Sequence, residues 1–149
     1  MGEDDSKKPG SGPGPGSGGG TERLRRSGPV YFEHERLDVF RVSREFEVFV
    51  ETINQAVVPW YLRDQLDRAA LSISANIAEG AGRTAKADKQ RFYEIARGST
   101  NEAAAHLDIF HIKRLISDAQ FHQGRNLLAR VAMMLTRMSA PPRSAKRNH

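Results

Sequence analysis

The chain has 149 residues, with 23 Lys or Arg against 18 Asp or Glu and a formal net charge of +5, a length that suits one domain. It contains no cysteine, which excludes disulfides, thiolate metal sites and cysteine nucleophiles and fits a cytoplasmic protein. No run approaches the roughly 20 apolar residues that a membrane-spanning helix requires, so no membrane partner is expected.

Residues 1–29 are rich in Gly, Pro and Ser, with a short basic patch at Arg23, Arg25 and Arg26. They have almost nothing apolar to bury and cannot offset the entropy of ordering. The composition predicts a disordered tail, without the apolar stretch of a secretory signal. Residues 139–149, SAPPRSAKRNH, predict a second, basic and flexible tail set off by Pro141 and Pro142. The folded domain is expected over 30–138. Between Val30 and Met138 fifteen basic residues face fourteen acidic ones, whereas the C-terminal tail holds three basic residues and no acid. More than half of the excess charge therefore lies in a tail, which can hold phosphate weakly and without sequence preference.

The first helix is expected over about Glu35 to Ala56. Val39, Val42, Phe46, Phe49 and Ile53 recur at 3–4 spacing and form one apolar stripe, which Leu37, Phe40 and Val50 widen. Pro59 breaks the chain and suits the first turn of a second helix, from about Trp60 to Glu79. There the seam is Leu62, Leu66, Ala69, Ile73 and Ile77, with small residues crowding its second half and Gly80 and Gly82 expected to end it. The third helix is predicted from near Thr84–Lys86 to Ile116, along the line Phe92, Ile95, Ser99, Glu102 or Ala103, His106, Ile109, Lys113 and Ile116. Gly98 sits inside it and is expected to mark a close helix contact. The fourth starts after Ser117 or Asp118, either a suitable N-cap, and carries Phe121, Gly124, Leu128, Val131, Leu135 and Met138.

Four amphipathic helices with short links predict an all-α, antiparallel up-down-up-down four-helix bundle with disordered N- and C-terminal tails. Leu37, Phe40, Leu107 and Phe110 lie off the main seams. Apolar surface beyond one core marks a partner, and these four are the candidate oligomer interface, although a wider single core would use them too.

The run Asp64-Gln-Leu-Asp-Arg-Ala-Ala-Leu-Ser-Ile-Ser-Ala-Asn-Ile-Ala-Glu-Gly80, with Arg83 after it, resembles the signature of the 23S rRNA intervening-sequence protein family, also called the four helix bundle protein family. Phe92-Tyr-Glu-Ile-Ala-Arg-Gly-Ser-Thr-Asn-Glu102 and Leu37-Asp-Val-Phe40 are similar to it as well. The resemblance covers about Leu37 to Met138. It departs at Ser74, where the family usually has Pro, and in the link from Ala56 to Trp60. The resemblance implies an antiparallel bundle that assembles as a homo-oligomer, typically a pentamer, with no cofactor and no established catalytic residue. A related group, the accessory proteins of diversity-generating retroelements, implies binding to a reverse transcriptase and nucleic acid.

Several polar residues lie in or beside the seams. Asn76 and Glu79 are one turn apart on the second helix; Ser99 and Glu102 are one turn apart on the third, with Arg97 nearby. Between antiparallel neighbours they are expected to meet as a structural polar network that sets register. The competing reading is a metal- or small-ligand-binding bundle. Carboxylate-bridged metal pairs need a Glu from each of two helices and Glu-x-x-His from two more. The chain offers Glu102 and His106 one turn apart and nothing matching on the fourth helix. Gly80-Ala-Gly82-Arg-Thr-Ala-Lys86 follows no strand and lacks the Gly-Lys-Ser/Thr ending of a phosphate loop. Arg83, Lys86 and Lys89 near the third helix N-terminus, and Arg143, Lys146 and Arg147 in the tail, are the candidate contacts for weak, non-specific nucleic acid. The sequence thus points to a non-enzymatic homo-oligomeric scaffold that serves as an adaptor for a nucleic-acid or ribonucleoprotein partner, through a protein partner the residues do not name.

Overall fold

The computed structural model of the chain describes residues 10–12, 31–53 and 55–139. The chain divides into two units, Met1–Val30 and Tyr31–His149. In the first, residues 10–12 are exposed and lack regular secondary structure. The second holds a 3-10 turn at Glu33–Arg36 and helices α1 (Asp38–Glu51), α2 (Trp60–Ala81), α3 (Lys86–Ile112) and α4 (Asp118–Ser139), and among the described residues there is no strand.

The helix ends have local causes. α1 is shorter than its apolar pattern suggests. Before it, Phe32 N–H donates to Glu35 Oε2 at 3.1 Å and holds the 3-10 turn. At its end Thr52 Oγ1 donates to Phe49 O at 2.6 Å, which takes up a carbonyl the next turn would need. α3 stops at Ile112 rather than near Ile116 because Arg114 takes the left-handed conformation, φ 57°. Leu115 N–H then donates to Phe110 O at 2.9 Å and Arg114 N–H to His111 O at 3.0 Å, a Schellman closure made without glycine. Ser117 is the N-cap of α4. Its Oγ accepts from Gln120 N–H at 3.1 Å, and Gln120 Oε1 accepts from Ser117 N–H at 2.9 Å, a reciprocal capping box.

Each helix packs on two neighbours, α1 and α3 on both α2 and α4. The cross-helix bonds run antiparallel: Ser72 meets Ser99 while Gly80 meets Lys89, and Asp108 meets Arg125 while Gln90 meets Ser139. The interior is largely apolar. Phe46, Leu66, Ile77, Leu107, Phe110 and Leu135 are completely buried, each contributing about 1.5–3 kcal/mol by transfer from water.

Close packing depends on two glycines. A Cβ on Gly124 would lie 2.6 Å from both Leu107 Cδ1 and Phe49 Cε1, and one on Gly80 would lie 2.8 Å from Tyr93 Cε1. Gly80 sits within α2, and none of the described glycines has a positive φ, so it supplies space rather than a helix-ending dihedral. Gly98 is the reverse of its expectation: it is exposed, with no neighbouring atom within 4 Å of a Cβ built there.

The seam predicted for the third helix is turned by about one residue, roughly 100°. The buried line is Tyr93, Ala96, Ser99 and Thr100, Ala103, Leu107 and Phe110, while Ile95 and Ile109 are 42% and 39% exposed. α3 carries two apolar stripes, and periodicity favoured the one with larger side chains. Ala96 and Ala103 are completely buried because small residues sit where helices approach most closely. Leu107 and Phe110 therefore belong to the chain's own core and drop out of the expected subunit interface. Leu37 and Phe40 are partly buried against the edge of that core.

Candidate functional site

The residues that carry the signature lie along the contact between α2 and α3, and they do not form one network. Ser72 and Ser99 share a hydrogen bond of 2.7 Å between their hydroxyls. Asn76 Nδ2 donates to the Ser72 carbonyl at 2.8 Å and to its Oγ at 3.2 Å. Ser99 and Asn76 are thus linked through Ser72, which the sequence did not single out. Glu79 instead pairs with Arg83 one turn on. Glu102 is exposed and reaches only His106, at 3.5 Å, and Arg97 is exposed. The polar residues expected inside the bundle therefore stand mainly on its surface. Among the described residues no group of three His, Asp or Glu is placed to hold a metal ion.

Of the predicted polar set Ser99 is buried, and the other buried polar groups include residues outside that set. Ser74 Oγ donates to Ser43 Oγ at 3.0 Å between α2 and α1, and Ser43 Oγ donates to Phe40 O at 2.6 Å. Ser74 stands where the resembled family usually has Pro, and here its hydroxyl ties two helices together. Arg63 is 6% exposed. Its Nη1 donates to Ile53 O at 2.7 Å and its Nε to Asp67 Oδ1 at 3.3 Å, and its Nη2 is 3.6 Å from Glu51 Oε2. The guanidinium clamps the end of α1 to the start of α2. The only sequence signal for it is one basic residue directly after the seam residue Leu62.

The candidate basic contacts are largely occupied. Lys89 Nζ donates to Gly80 O at 3.3 Å and Ala81 O at 2.9 Å, where a cation offsets the negative end of α2. Arg83 pairs with Glu79, and its guanidinium lies 4.9 Å from the Phe92 ring centroid. Lys86 is exposed at the first residue of α3. Arg143, Lys146 and Arg147 lie outside the described residues.

A groove of about 660 Å³ opens between α1 and α4, floored by Val48, Phe49 and Leu127 and rimmed by Arg41, Arg44 and Arg130. Each arginine has an acid beside it: Asp38 at 2.8 Å, Glu47 at 3.7 Å and Glu45 at 3.7 Å, respectively. The rim is therefore compensated and does not concentrate anions. At the turn between α3 and α4, His111 Nε2 lies 2.6 Å from Asp118 Oδ1, and its ring stacks on Phe121 at 4.0 Å. The hydrogen bond to His111, and then its charge, hold the Asp118 carboxyl below the usual range. Burial pushes the Tyr93 phenol up. Neither arrangement sets an activated nucleophile beside a base.

Large apolar side chains are exposed around the bundle: Trp60 at 80%, Ile112 at 79%, Val48 at 66% and Leu71 at 64%. No described helix is long and apolar enough to cross a membrane.

A family model described as 23S rRNA-intervening sequence protein matches residues 35–137. Among solved structures, a protein of unknown function from the S23 ribosomal protein family of Bacteroides thetaiotaomicron is similar. The TM-score is 0.64 at 23% identity, over 69% of this chain and 99% of that one, a likeness of fold. No curated protein gives a match.

Proposed function

Because the chain belongs to the 23S rRNA-intervening sequence protein family, we propose that it is a cytoplasmic, non-enzymatic, homo-oligomeric helical scaffold, an adaptor that holds a nucleic-acid-bound or ribonucleoprotein partner. The observation that carries this reading is the exposure of Trp60, Ile112, Val48 and Leu71 on a bundle whose interior is already filled. Val48 and Leu71 line one shared surface groove, and apolar side chains grouped on a surface support a role in protein contacts. Light scattering coupled to size exclusion at micromolar concentration tests it. A mass several times the chain's 16.6 kDa, with no nucleic acid present, is the expected result; a mass of one chain, stable on concentration, would overturn it. Five subunits is the number the resemblance implies for a ring.

Nucleic acid reaches the assembly chiefly through the partner. The described domain has nearly balanced charge, Lys89 and Arg83 are engaged within the fold, and Lys86 with the tail residues Arg143, Lys146 and Arg147 is left for phosphate. Direct binding to RNA or DNA is accordingly weak, indifferent to sequence and steeply lost with salt as counterions are released. Titration of a labelled RNA at rising salt reads this; tight binding that survives high salt refutes it.

A further inference from the structure

One face of α2 is apolar at both ends and acidic between them. Trp60, Asp64, Asp67 and Leu71 recur at spacings of four, three and four, so they share one stripe about 16 Å long. Trp60 is 80% and Leu71 64% exposed, and the Asp64 and Asp67 side chains are 46% and 45% exposed. A hollow lies beside each half of the stripe. One, of about 450 Å³, opens towards α1 and has Glu47, Val48, Glu51, Asp67 and Leu71 in its wall; the other, of about 350 Å³, has Val58, Trp60, Asp64 and Asp67. Asp67 belongs to both, so the two adjoin.

The charge of this face is opposite to that of the whole chain. The protein carries +5, yet four carboxylates line the two hollows against two guanidiniums, Arg44 and Arg63. Arg63 is buried and spent on Ile53 O. The Glu47 carboxylate is short of donors: Oε1 is closed off from solvent with no hydrogen-bond partner, and Oε2 has only Arg44 Nε at 3.7 Å. Asp64 pairs with Arg68 at 3.0 Å on the surface, a contact that another cation replaces at little cost.

Resting on the adaptor reading above, we propose that this face is the docking site for a basic amphipathic helix of the protein partner. The matching helix carries apolar, basic, basic and apolar residues at the same spacing of four, three and four. Its apolar side chains cover Trp60 and Leu71, and its two cations meet Asp64, Asp67 and the donor-poor Glu47. Trp60 serves either class, since its ring packs apolar groups and attracts cations over its face. Apolar anchors fix such a helix in its groove, and the charges between them select a basic one. A phosphate backbone is repelled by the same carboxylates.

Trp60 is the chain's one tryptophan and reports on the face directly. The probe is a tryptophan-free synthetic helix of alanine and glutamine with Leu, Lys, Lys and Leu set at spacings of four, three and four. Titrated into the full chain, it shifts the Trp60 emission to the blue and saturates. The same peptide with Glu for both Lys does not, although the chain's net charge favours it. Asp64→Lys and Glu47→Lys each weaken binding about tenfold, because like charges meet in the contact, and Leu71→Asn weakens it by a smaller factor. Circular dichroism melts near the wild-type temperature show that the variants are folded, and where one of the two Lys variants melts early the other decides. Absence of a saturable shift, equal binding of the Glu peptide, or unchanged affinity in the Lys variants overturns the proposal. So does a Trp60 emission that is already blue in the free chain and moves to the red in Leu71→Asn, the sign that a second copy covers the face. A single-chain mass by light scattering with peptide binding intact overturns the homo-oligomeric reading instead and leaves this site standing.

Discussion

The inner and outer faces of α3 use the same residue types to opposite ends. On the inner face Leu107 and Phe110 are completely buried and Leu107 lies against Gly124 of α4; on the outer face Ile95 and Ile109 are well exposed and Gly98 adjoins empty space. An apolar residue inside stabilises the fold by leaving water, whereas one outside does so only when something else covers it. A glycine inside is required because a methyl group has nowhere to go. One outside costs the helix conformational entropy and gains nothing within the single chain. That difference makes the outer face an expense to the monomer and directs attention to what lies beyond it.

The contrast can be broken most sharply in the core. Leu107→Ala is expected to cost ~2–5 kcal/mol of stability, whereas Ile109→Ala two residues away stays within ~0.5 kcal/mol, both read by urea denaturation. Equal costs would show that the inner and outer faces are misassigned. Arg63→Ala comes next, at ~1.5–3 kcal/mol, since it removes charge-assisted bonds to Ile53 O and Asp67. A near-neutral result would mean that the clamp between α1 and α2 contributes only packing. The glycine pair gives opposite signs. Gly124→Ala lowers stability by ~1–2 kcal/mol because its methyl would overlap Leu107 and Phe49, and Gly98→Ala raises it by up to ~1 kcal/mol through helix propensity. Thermal melts of the two variants that shift in the same direction would defeat the comparison.

Arg114→Gly is expected to add up to ~1 kcal/mol, because glycine adopts the left-handed conformation found there without steric penalty. The smallest effect is on pH. The Asp118 carboxyl is lowered in the fold by His111, so its contribution is present above the ordinary carboxylate value of about 3.9. It is lost as pH falls through the depressed folded value, when the native carboxylate takes up its proton. A melting series on wild type and Asp118→Asn should therefore converge only at acid pH; curves that stay parallel throughout would remove His111–Asp118 as a pH-dependent contact.

The existence of four helices was legible in the sequence, because four stretches repeat at 3–4 spacing between proline or polar links. The Pro59 start of α2 was legible too, and the cap of α4 was narrowed to Ser117 or Asp118, since both act within a single turn of chain; the reciprocal partner Gln120 was not read. The end of α3 was not: Arg114 carries no left-handed preference, and its conformation follows from the closure between Phe110 and Leu115. The candidate polar site was legible only as a set of residues. Asn76 and Ser99 joined through Ser72, while Glu79 and Glu102 turned outward to local partners. The buried Ser43–Ser74 pair and the Arg63 clamp went unread because a serine or arginine near an apolar seam has no spacing that reports its partner on another helix.

By itself the sequence determined the helical class, the antiparallel order that short links impose, the near neutrality of the folded domain and the family to which the chain belongs. All of these follow from local periodicity, chain length and residue type. The tertiary structure alone decided which stripe of α3 faces inward. It also decided which glycines supply space rather than leave it, and which charges are already spoken for. Those depend on the distance between side chains far apart in the chain, such as Leu107 and Gly124, and no pattern within one helix contains that distance.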